Sequence, residues 1–366
     1  MNIAFFVPHL KKGGAERVIS ILANELSERN HNVHICFISE NMDIKSQYFI
    51  KDSVNLSVIR NFKFKSFGGI KSFYKSLNNY LVKNDIEVAI SFSYVVAAKI
   101  SLACKKFDIP IVFSERSDPS RKNYNGKKGI WKYVFFKNIS NVVFQTEKAK
   151  SFYPEKQQKH SLVILNPVNL DSFPLKFIGE RKKEIVSVGR LFEMKRYDVL
   201  IDAFTKIANK HTDYVLKIYG EGPLRKILQE QIERSNVKDR IFLMGKCDDI
   251  FNAINQASAF VFTSDYEGLP NALIEAMLLG LPCVSTRCSP GGAEELIQHE
   301  VNGLLVKCGD SEDVADKIDK ILSDKSYAEL LGNNATKLKE RVDVTKIVNK
   351  WESYLVNSID RNKSKK

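Results

Sequence analysis

Two glutamates with seven residues between them, Glu267 and Glu275, stand in the segment Tyr266-Glu267-Gly268-Leu269-Pro270-Asn271-Ala272-Leu273-Ile274-Glu275-Ala276-Met277. The apolar run 259–263 before them reads as a buried strand. Leu269, Leu273, Ala276 and Met277 at helical spacing, with Gly280 as a stop, predict a helix over 270–279. Pro270 suits its first turn, where no amide donor is missed. Glu267 then falls in the turn before the helix, and Glu275 about two turns into it. A strand, a tight Glu-Gly turn and an open helix N-terminus make a site for an anion, because free amides and the positive end of the dipole point outward there. The carboxylates beside it suit hydroxyls. Phosphate plus hydroxyls points to a nucleotide sugar. A capping acid and a solvated helix residue would give the same pair, so the rest of the chain decides between the two.

Five other loops carry residues suited to this chemistry. Gly13-Gly14-Ala15-Glu16-Arg17 joins a first strand to a first helix, and paired glycines let a diphosphate approach the backbone. The spacing is neither the dinucleotide G-x-G-x-x-G pattern nor a P-loop. Val188-Gly189-Arg190-Leu191-Phe192-Glu193-Met194-Lys195 places two cations beside a glycine, as a nucleotide diphosphate requires. Tyr219-Gly220-Glu221-Gly222-Pro223 is a further strand-to-helix turn, and Arg225 where a third glycine would stand argues against a nicotinamide cofactor. Ser289-Pro290-Gly291-Gly292 precedes one more helix and could line the same pocket, or serve only as a turn. In the first half, Ser114-Glu115-Arg116-Ser117-Asp118 follows a strand and offers polar side chains at its end.

The elements that must position these loops alternate. Apolar runs at 3–7, 33–38, 54–59, 88–92, 110–114 and 141–146 read as strands. Amphipathic stretches at 15–28, 73–83, 95–106, 131–138 and 147–152 read as helices. The pattern breaks near 154–174, with a linker over 168–182, and then restarts. Strands are expected at 184–188, 214–219, 241–244, 259–263, 282–285 and 303–306. Helices are expected at 197–209, 223–235, 250–256, 270–279, 293–298 and 312–323. Such alternation predicts an α/β chain with doubly wound parallel sheets, whose ligands bind at the carboxyl ends of the strands. The domains expected are 1–170, 171–345 and a terminal piece 346–366. A packing helix over 344–356 carries Trp351, Tyr354 and Leu355, and a basic tail at 361–366 is expected to be disordered.

The chain of 366 residues is 44% hydrophobic, enough for two cores, and has no apolar run long enough to span a bilayer. Its net charge of +13 is uneven. Residues 1–175 hold 26 Lys and Arg against 14 Asp and Glu, while residues 176–366 hold 30 against 29. Only the first half therefore calls for an anionic partner. Stretches 60–75 and 121–137 set Lys and Arg among Phe, Tyr and Trp with no acid, which suits an anionic membrane surface. Neither stretch resembles a nucleic-acid motif. The six scattered cysteines contain no Cys-x-x-Cys pair, which fits free thiols in a reducing cytoplasm and no zinc site.

Gly13-Gly14-Ala15-Glu16-Arg17, Val188-Gly189-Arg190 with Lys195, Gly220-Glu221-Gly222-Pro223 and Glu267-Gly268-Leu269-Pro270-Asn271 with Glu275 stand in an order that resembles the retaining GT-B-fold glycosyltransferases of family four. The bacterial enzymes of lipid-linked oligosaccharide, capsule and O-antigen assembly, N-acetylgalactosaminyltransferases among them, are the most similar. The resemblance implies two Rossmann-like domains facing across a cleft, an acceptor-binding and membrane-facing domain first and a nucleotide-sugar domain second. It implies transfer of a hexose or N-acetylhexosamine, from a UDP-linked donor, to a lipid-linked saccharide at the inner face of the plasma membrane.

The resemblance also assigns roles. Gly14 would approach the donor, and Arg190 and Lys195 would hold its diphosphate and stabilise the leaving group. Glu267 would contact the sugar, with the amides of Leu269, Asn271 and Ala272 near sugar and phosphate. Glu275 would hold the ribose, and the loop Gly245-Lys246-Cys247-Asp248 would meet the base. No metal or other cofactor is implied. Glu115 and Arg116 are the acceptor-side candidates. Several relatives carry a histidine where Arg116 stands, and a guanidinium cannot take over the role of a base there. A nucleotide-sugar epimerase and a non-catalytic membrane-binding module are the alternatives. The first is disfavoured by the scarcity of histidine, and the second predicts that the glutamate pair is dispensable.

Overall fold

The computed structural model describes residues 1–11, 13–39, 46–60, 67–121, 134 and 137–364. The chain divides into two compact units, Met1–Pro167 with Val344–Lys366, and Val168–Asp343.

Unit 1 is built on seven strands: β1 (Asn2–Val7), β2 (Asn32–Ser39), β3 (Asn55–Arg60), β4 (Val88–Ser91), β5 (Ile111–Ser114), β6 (Asn141–Phe144) and β7 (Leu162–Val163). They pair in the order β3-β2-β1-β4-β5-β6-β7, and each pairing is parallel. The order reverses at β1, so crossovers leave in both directions and helices cover both faces. The central strands are therefore continuous apolar runs, buried on both sides. Helix α1 (Gly14–Glu28) buries Val18, Ile19, Leu22, Ala23 and Leu26 along one stripe. Helices α2 (Phe67–Lys83) and α3 (Tyr94–Lys106) follow β3 and β4. Phe5, Phe6, Phe37, Phe113 and Phe144 are fully buried, and each such ring removed from water stabilises by about 1.5–3 kcal/mol.

Unit 2 repeats the plan with β8 (Lys182–Val188), β9 (Val215–Tyr219), β10 (Ile241–Gly245), β11 (Ala257–Phe262), β12 (Cys283–Thr286) and β13 (Leu304–Val306). Their order is β10-β9-β8-β11-β12-β13, again parallel. Helices α4 (Tyr197–Ile207), α5 (Arg225–Arg234), α6 (Asn271–Leu278), α7 (Ser311–Ser323) and α8 (Lys325–Ala335) pack around the sheet. Ile185, Leu216, Ile218, Ala259 and Val261 from the strands meet Leu200 and Phe204 of α4 in one core. The reversal here falls between β8 and β11. Neighbours in space, these strands lie far apart in sequence, and their carboxyl ends bring the 188–196 and 263–270 loops together.

Several elements differ from expectation, the short strand β7 and the one-turn helices Glu155–Gln158 and Lys339–Val342 among them, for none of which an element was expected. Helix α6 begins at Asn271 with Pro270 as its cap, so Glu275 is its fifth residue, little more than one turn in. Helix α2 starts at Phe67 rather than at 73, through the Gly68-Gly69 pair. Helix α8 was not expected at all; it buries only Leu331, Gly332 and Ala335. The terminal helix α9 (Val344–Lys363) runs seven residues past the expected 356 and takes in residues 361–363, half of the tail expected to be disordered. Ser358 and Ile359 are buried, Arg361 donates to Asn141 Oδ1 at 3.1 Å, and Asn362 donates to the Asp108 carbonyl at 2.6 Å. Those contacts with unit 1 hold the helix against fraying. The helix expected at 131–138 lies largely outside the described residues.

Candidate functional site

In unit 2 the two loops expected to hold an anion are joined by main-chain and side-chain contacts. The Thr263 hydroxyl donates to the Lys195 carbonyl at 2.9 Å, and the Asp265 N–H donates to the Met194 carbonyl at 2.9 Å. Lys195 Nζ forms an ion pair with Glu267. The pair is largely buried, with side-chain exposures of 15% and 20%, and the ammonium lies 4.8 Å from the centroid of the Phe262 ring. A lysine so desolvated requires a counter-anion, and Glu267 is that anion in the free protein.

The three cations of the first loop divide by partner. Arg196, in the left-handed region at φ 50, is held by Asp198 and Asp265. Its hydrogen bond to Asp198 raises its pKa well above the ordinary arginine value. Arg190 is exposed and stacks on Phe192 at 4.9 Å. Among the described residues Arg190 has no carboxylate partner, Lys195 has one and Arg196 has two, so Arg196 braces the loop.

Glycines here serve close approach. A Cβ on Gly189 would lie 2.8 Å from Tyr197 Oη and 3.2 Å from Lys195 Cε. Tyr197 is a buried phenol whose pKa is raised, first by burial and then by the Glu267 charge, with an opposing hydrogen bond to Ser187. On Gly220, at φ +144, a Cβ would lie 1.9 Å from the Gly189 carbonyl oxygen. On Gly292 it would lie 2.0 Å from the Gly268 carbonyl oxygen. The Ser289–Gly292 loop thus packs directly on the Glu-Gly turn, and the Glu267 N–H donates to the Ser289 carbonyl at 2.8 Å.

Helix α6 leaves its first turn open. The Pro270 carbonyl accepts from Leu273 and Ile274 at 3.2 Å, no side chain caps the helix, and the amides of Leu269 and Ala272 have no acceptor among the described residues. Asn271, Ala272 and Glu275 are half-buried on this helix. Cys247, also half-buried, lies in the loop after β10, whose Gly245 carbonyl accepts the Gly220 N–H at 2.7 Å. Thr263, Tyr197 and Ser289 support the site, and no spacing signal in the sequence marks the first two.

In unit 1, Gly13 caps α1 and Gly14 is its exposed first residue. The acceptor-side candidates follow β5, and both functional groups turn inward. Glu115, 2% exposed, accepts from Tyr153 Oη at 2.5 Å and from the Ser117 hydroxyl at 2.8 Å. Arg116 donates to Asn166 Oδ1 at 2.5 Å and lies 4.3 Å from the Phe92 ring centroid. Burial pushes its pKa down to about 9, against the opposing charge of Glu115. Its Nε and Nη2 are buried without a hydrogen-bond partner among the described residues.

Of the two basic–aromatic stretches, residues 61–66, 122–133, 135 and 136 lie outside the described residues. Helices α2 and α3, which pack together, carry Lys71, Lys75, Lys83, Lys99, Lys105 and Lys106 and no acid. Val82 and Leu102 on them are more than half exposed. Among the described residues no helix is long and apolar enough to cross a membrane.

Residues 12–172 match the family described as Glycosyltransferase Family 4, and residues 171–338 match Glycosyl transferases group 1. The chain is 25% identical over 357 residues to an uncharacterized glycosyltransferase of Haemophilus influenzae, covering 97% of this chain and 99% of that one. It is 27% identical over 370 residues to a Campylobacter jejuni α-1,4-N-acetyl-D-galactosaminyltransferase named for a GalNAc-containing diphospho-undecaprenol substrate, covering 96% and 97%. Anabaena HepE, crystallised with UDP, superposes with a TM-score of 0.82 at 19% identity, over 98% of this chain and 100% of that one.

Proposed function

This chain belongs to the GT-B glycosyltransferases, a family 4 unit followed by a group 1 unit, and we propose that it moves a hexose or N-acetylhexosamine from a UDP-linked donor to a lipid-linked saccharide, with retention at the anomeric carbon. The observation that carries the donor assignment is the largely buried Lys195–Glu267 pair beside exposed Arg190 and the open first turn of α6. When a nucleotide diphosphate enters, Lys195 leaves Glu267 for a phosphate oxygen, and the freed carboxylate accepts from hydroxyls of the sugar. As the glycosidic bond breaks, negative charge grows on the diphosphate, where Arg190, Lys195 and the amides of Leu269, Asn271 and Ala272 stabilise it. These cations do the work a divalent metal would do elsewhere, so the reaction needs no resident metal. Glu275 binds the ribose and the Cys247 loop meets the base. Gly14 meets the donor from unit 1, and the residues around Glu115 and Arg116 shape the acceptor's approach.

We infer that the enzyme works on the inner face of the plasma membrane, with unit 1 as its membrane-facing and acceptor-binding part. The acid-free lysines of α2 and α3 support that reading through attraction to anionic headgroups. Wild-type protein should sediment with phosphatidylglycerol vesicles and not with phosphatidylcholine vesicles. Changing Lys75 and Lys106 to Glu should weaken that binding, and equal sedimentation of the variant would refute the surface.

A screen of UDP- and GDP-sugars, read by nucleotide release with membrane lipid extract present, tests the activity. Release from a UDP-sugar, insensitive to EDTA and giving a product whose anomeric proton coupling matches the donor's, is the expected result. Absence of turnover with every donor would refute it.

A further inference from the structure

Gly13, which caps α1, has both of its main-chain groups tied to one phenol. Its N–H donates to Tyr48 Oη at 2.8 Å, and Tyr48 Oη donates to the Gly13 carbonyl at 2.8 Å. The segment that carries Tyr48 is itself anchored. Ser46 bridges to Leu10, and the Gln47 N–H donates to the Leu10 carbonyl at 3.0 Å. Ser46 Oγ donates to the Tyr48 carbonyl at 2.8 Å. Asn24 of α1 donates to the Phe49 carbonyl and accepts from the Lys51 N–H, both at 3.0 Å. The ring is thus a strut between a braced loop and the glycine turn.

The turn needs such a strut. Gly13 lies at φ −171, extended backbone that any residue adopts, so steric restriction does not hold it there. Two glycines in succession have the most conformational freedom to lose when a ligand orders them. No side chain caps α1, so capping does not consume the amides of its first turn. We infer that Tyr48 is a positioning residue for this reaction. Its hydroxyl sets the Gly13-Gly14 turn in advance, so the first amides of α1 already face the substrate and binding does not have to order them. Tyr48 itself touches no substrate. The inference rests on the reading above, in which this turn meets the donor.

Tyr48→Phe removes the hydroxyl and keeps the ring. The kcat/KM for the UDP-sugar should fall about tenfold or more. The Kd of UDP alone should hold within about twofold, because its proposed contacts lie on unit 2. The melting midpoint should hold within about 2 °C, and hydrogen exchange at Gly13 and Gly14 should quicken. Wild-type kcat/KM in Tyr48→Phe overturns the inference. So does a loss that runs in parallel with lower UDP affinity and a lower midpoint, since that marks a general scaffold role. Lys195→Ala, measured alongside, separates the two levels. If it is inactive while Tyr48→Phe is not, only the Tyr48 inference fails; if both keep full turnover, the donor-site reading fails first.

Discussion

Replacing Gly220 by alanine tests whether the glycines of unit 2 serve backbone contact. The added Cβ would stand 1.9 Å from the Gly189 carbonyl oxygen and 2.8 Å from its carbon. Neither partner can yield easily: the Gly189 N–H is bonded to the Tyr219 carbonyl at 2.9 Å, and the Gly220 N–H to the Gly245 carbonyl at 2.7 Å. Holding a non-glycine residue at φ +144 costs about 1–3 kcal/mol. Overpacking adds about 1–3 kcal/mol, so the expected loss is about 2–6 kcal/mol. At about 2–4 °C per kcal/mol for a unit of this size, its midpoint should fall by about 4–24 °C. Relief requires the 189–190 backbone to move, which displaces Arg190 and weakens UDP binding as well. Thermal melting with UDP titration measures both. Gly68→Ala in α2 is the control, because its Cβ would have no atom within 4 Å, and alanine should be neutral or stabilise by up to about 1 kcal/mol. A Gly220→Ala midpoint equal to wild type would refute the steric argument.

Three further outcomes follow from the same geometry. Lys195→Ala and Glu267→Gln should each lower kcat/KM about 10²–10³-fold, and the double variant should lose far less than the product of the two; simple multiplicativity in the cycle would separate them. Glu275→Ala should weaken UDP about tenfold, yet leave 2′,3′-dideoxy-UDP, which lacks the hydroxyls, unchanged; equal losses for both nucleotides would place Glu275 elsewhere. The third concerns α9. Burial alone would raise the Glu352 pKa, but hydrogen bonds from His31 and Arg29, each 2.8 Å, hold it below the ordinary 4.5. A depressed carboxylate stabilises fully above its unfolded pKa and loses that contribution as pH falls through its folded one. Acid should therefore loosen α9 below about pH 4.5, seen as a change in fluorescence of buried Trp351. Glu352→Gln should flatten that response, and an unaltered acid profile would count against the anchor.

Much of this fold was legible because its signals are local. Buried parallel strands appear as apolar runs and covering helices as amphipathic ones, so the alternation carried the α/β class through both units. Where burial is slight the signal fails. Helix α8 buries only Leu331, Gly332 and Ala335, with Tyr327 and Ala328 partly buried against the core, too small a stripe to stand out, although Asp324 caps it through the Tyr327 N–H at 2.9 Å. The extension of α9 rests on Arg361 and Asn362 reaching residues more than 200 positions away, which no window of sequence contains.

The sequence by itself determined which residue types could hold a nucleotide sugar, because Arg190, Lys195, Glu267 and Glu275 lie in loops that adjacent strands and helices announce. Only the tertiary structure decided their partners. Strand order sets β8 beside β11, so Lys195 meets Glu267 across 71 intervening positions. It gives Arg196 to Asp198 and Asp265 and leaves Arg190 exposed. It turns Glu115 and Arg116 into unit 1, and it brings the Tyr48 hydroxyl to Gly13. Local propensity acts over a turn or two of chain, whereas an ion pair or a clamp depends on distance in space, which is fixed only when the sheet has chosen its order.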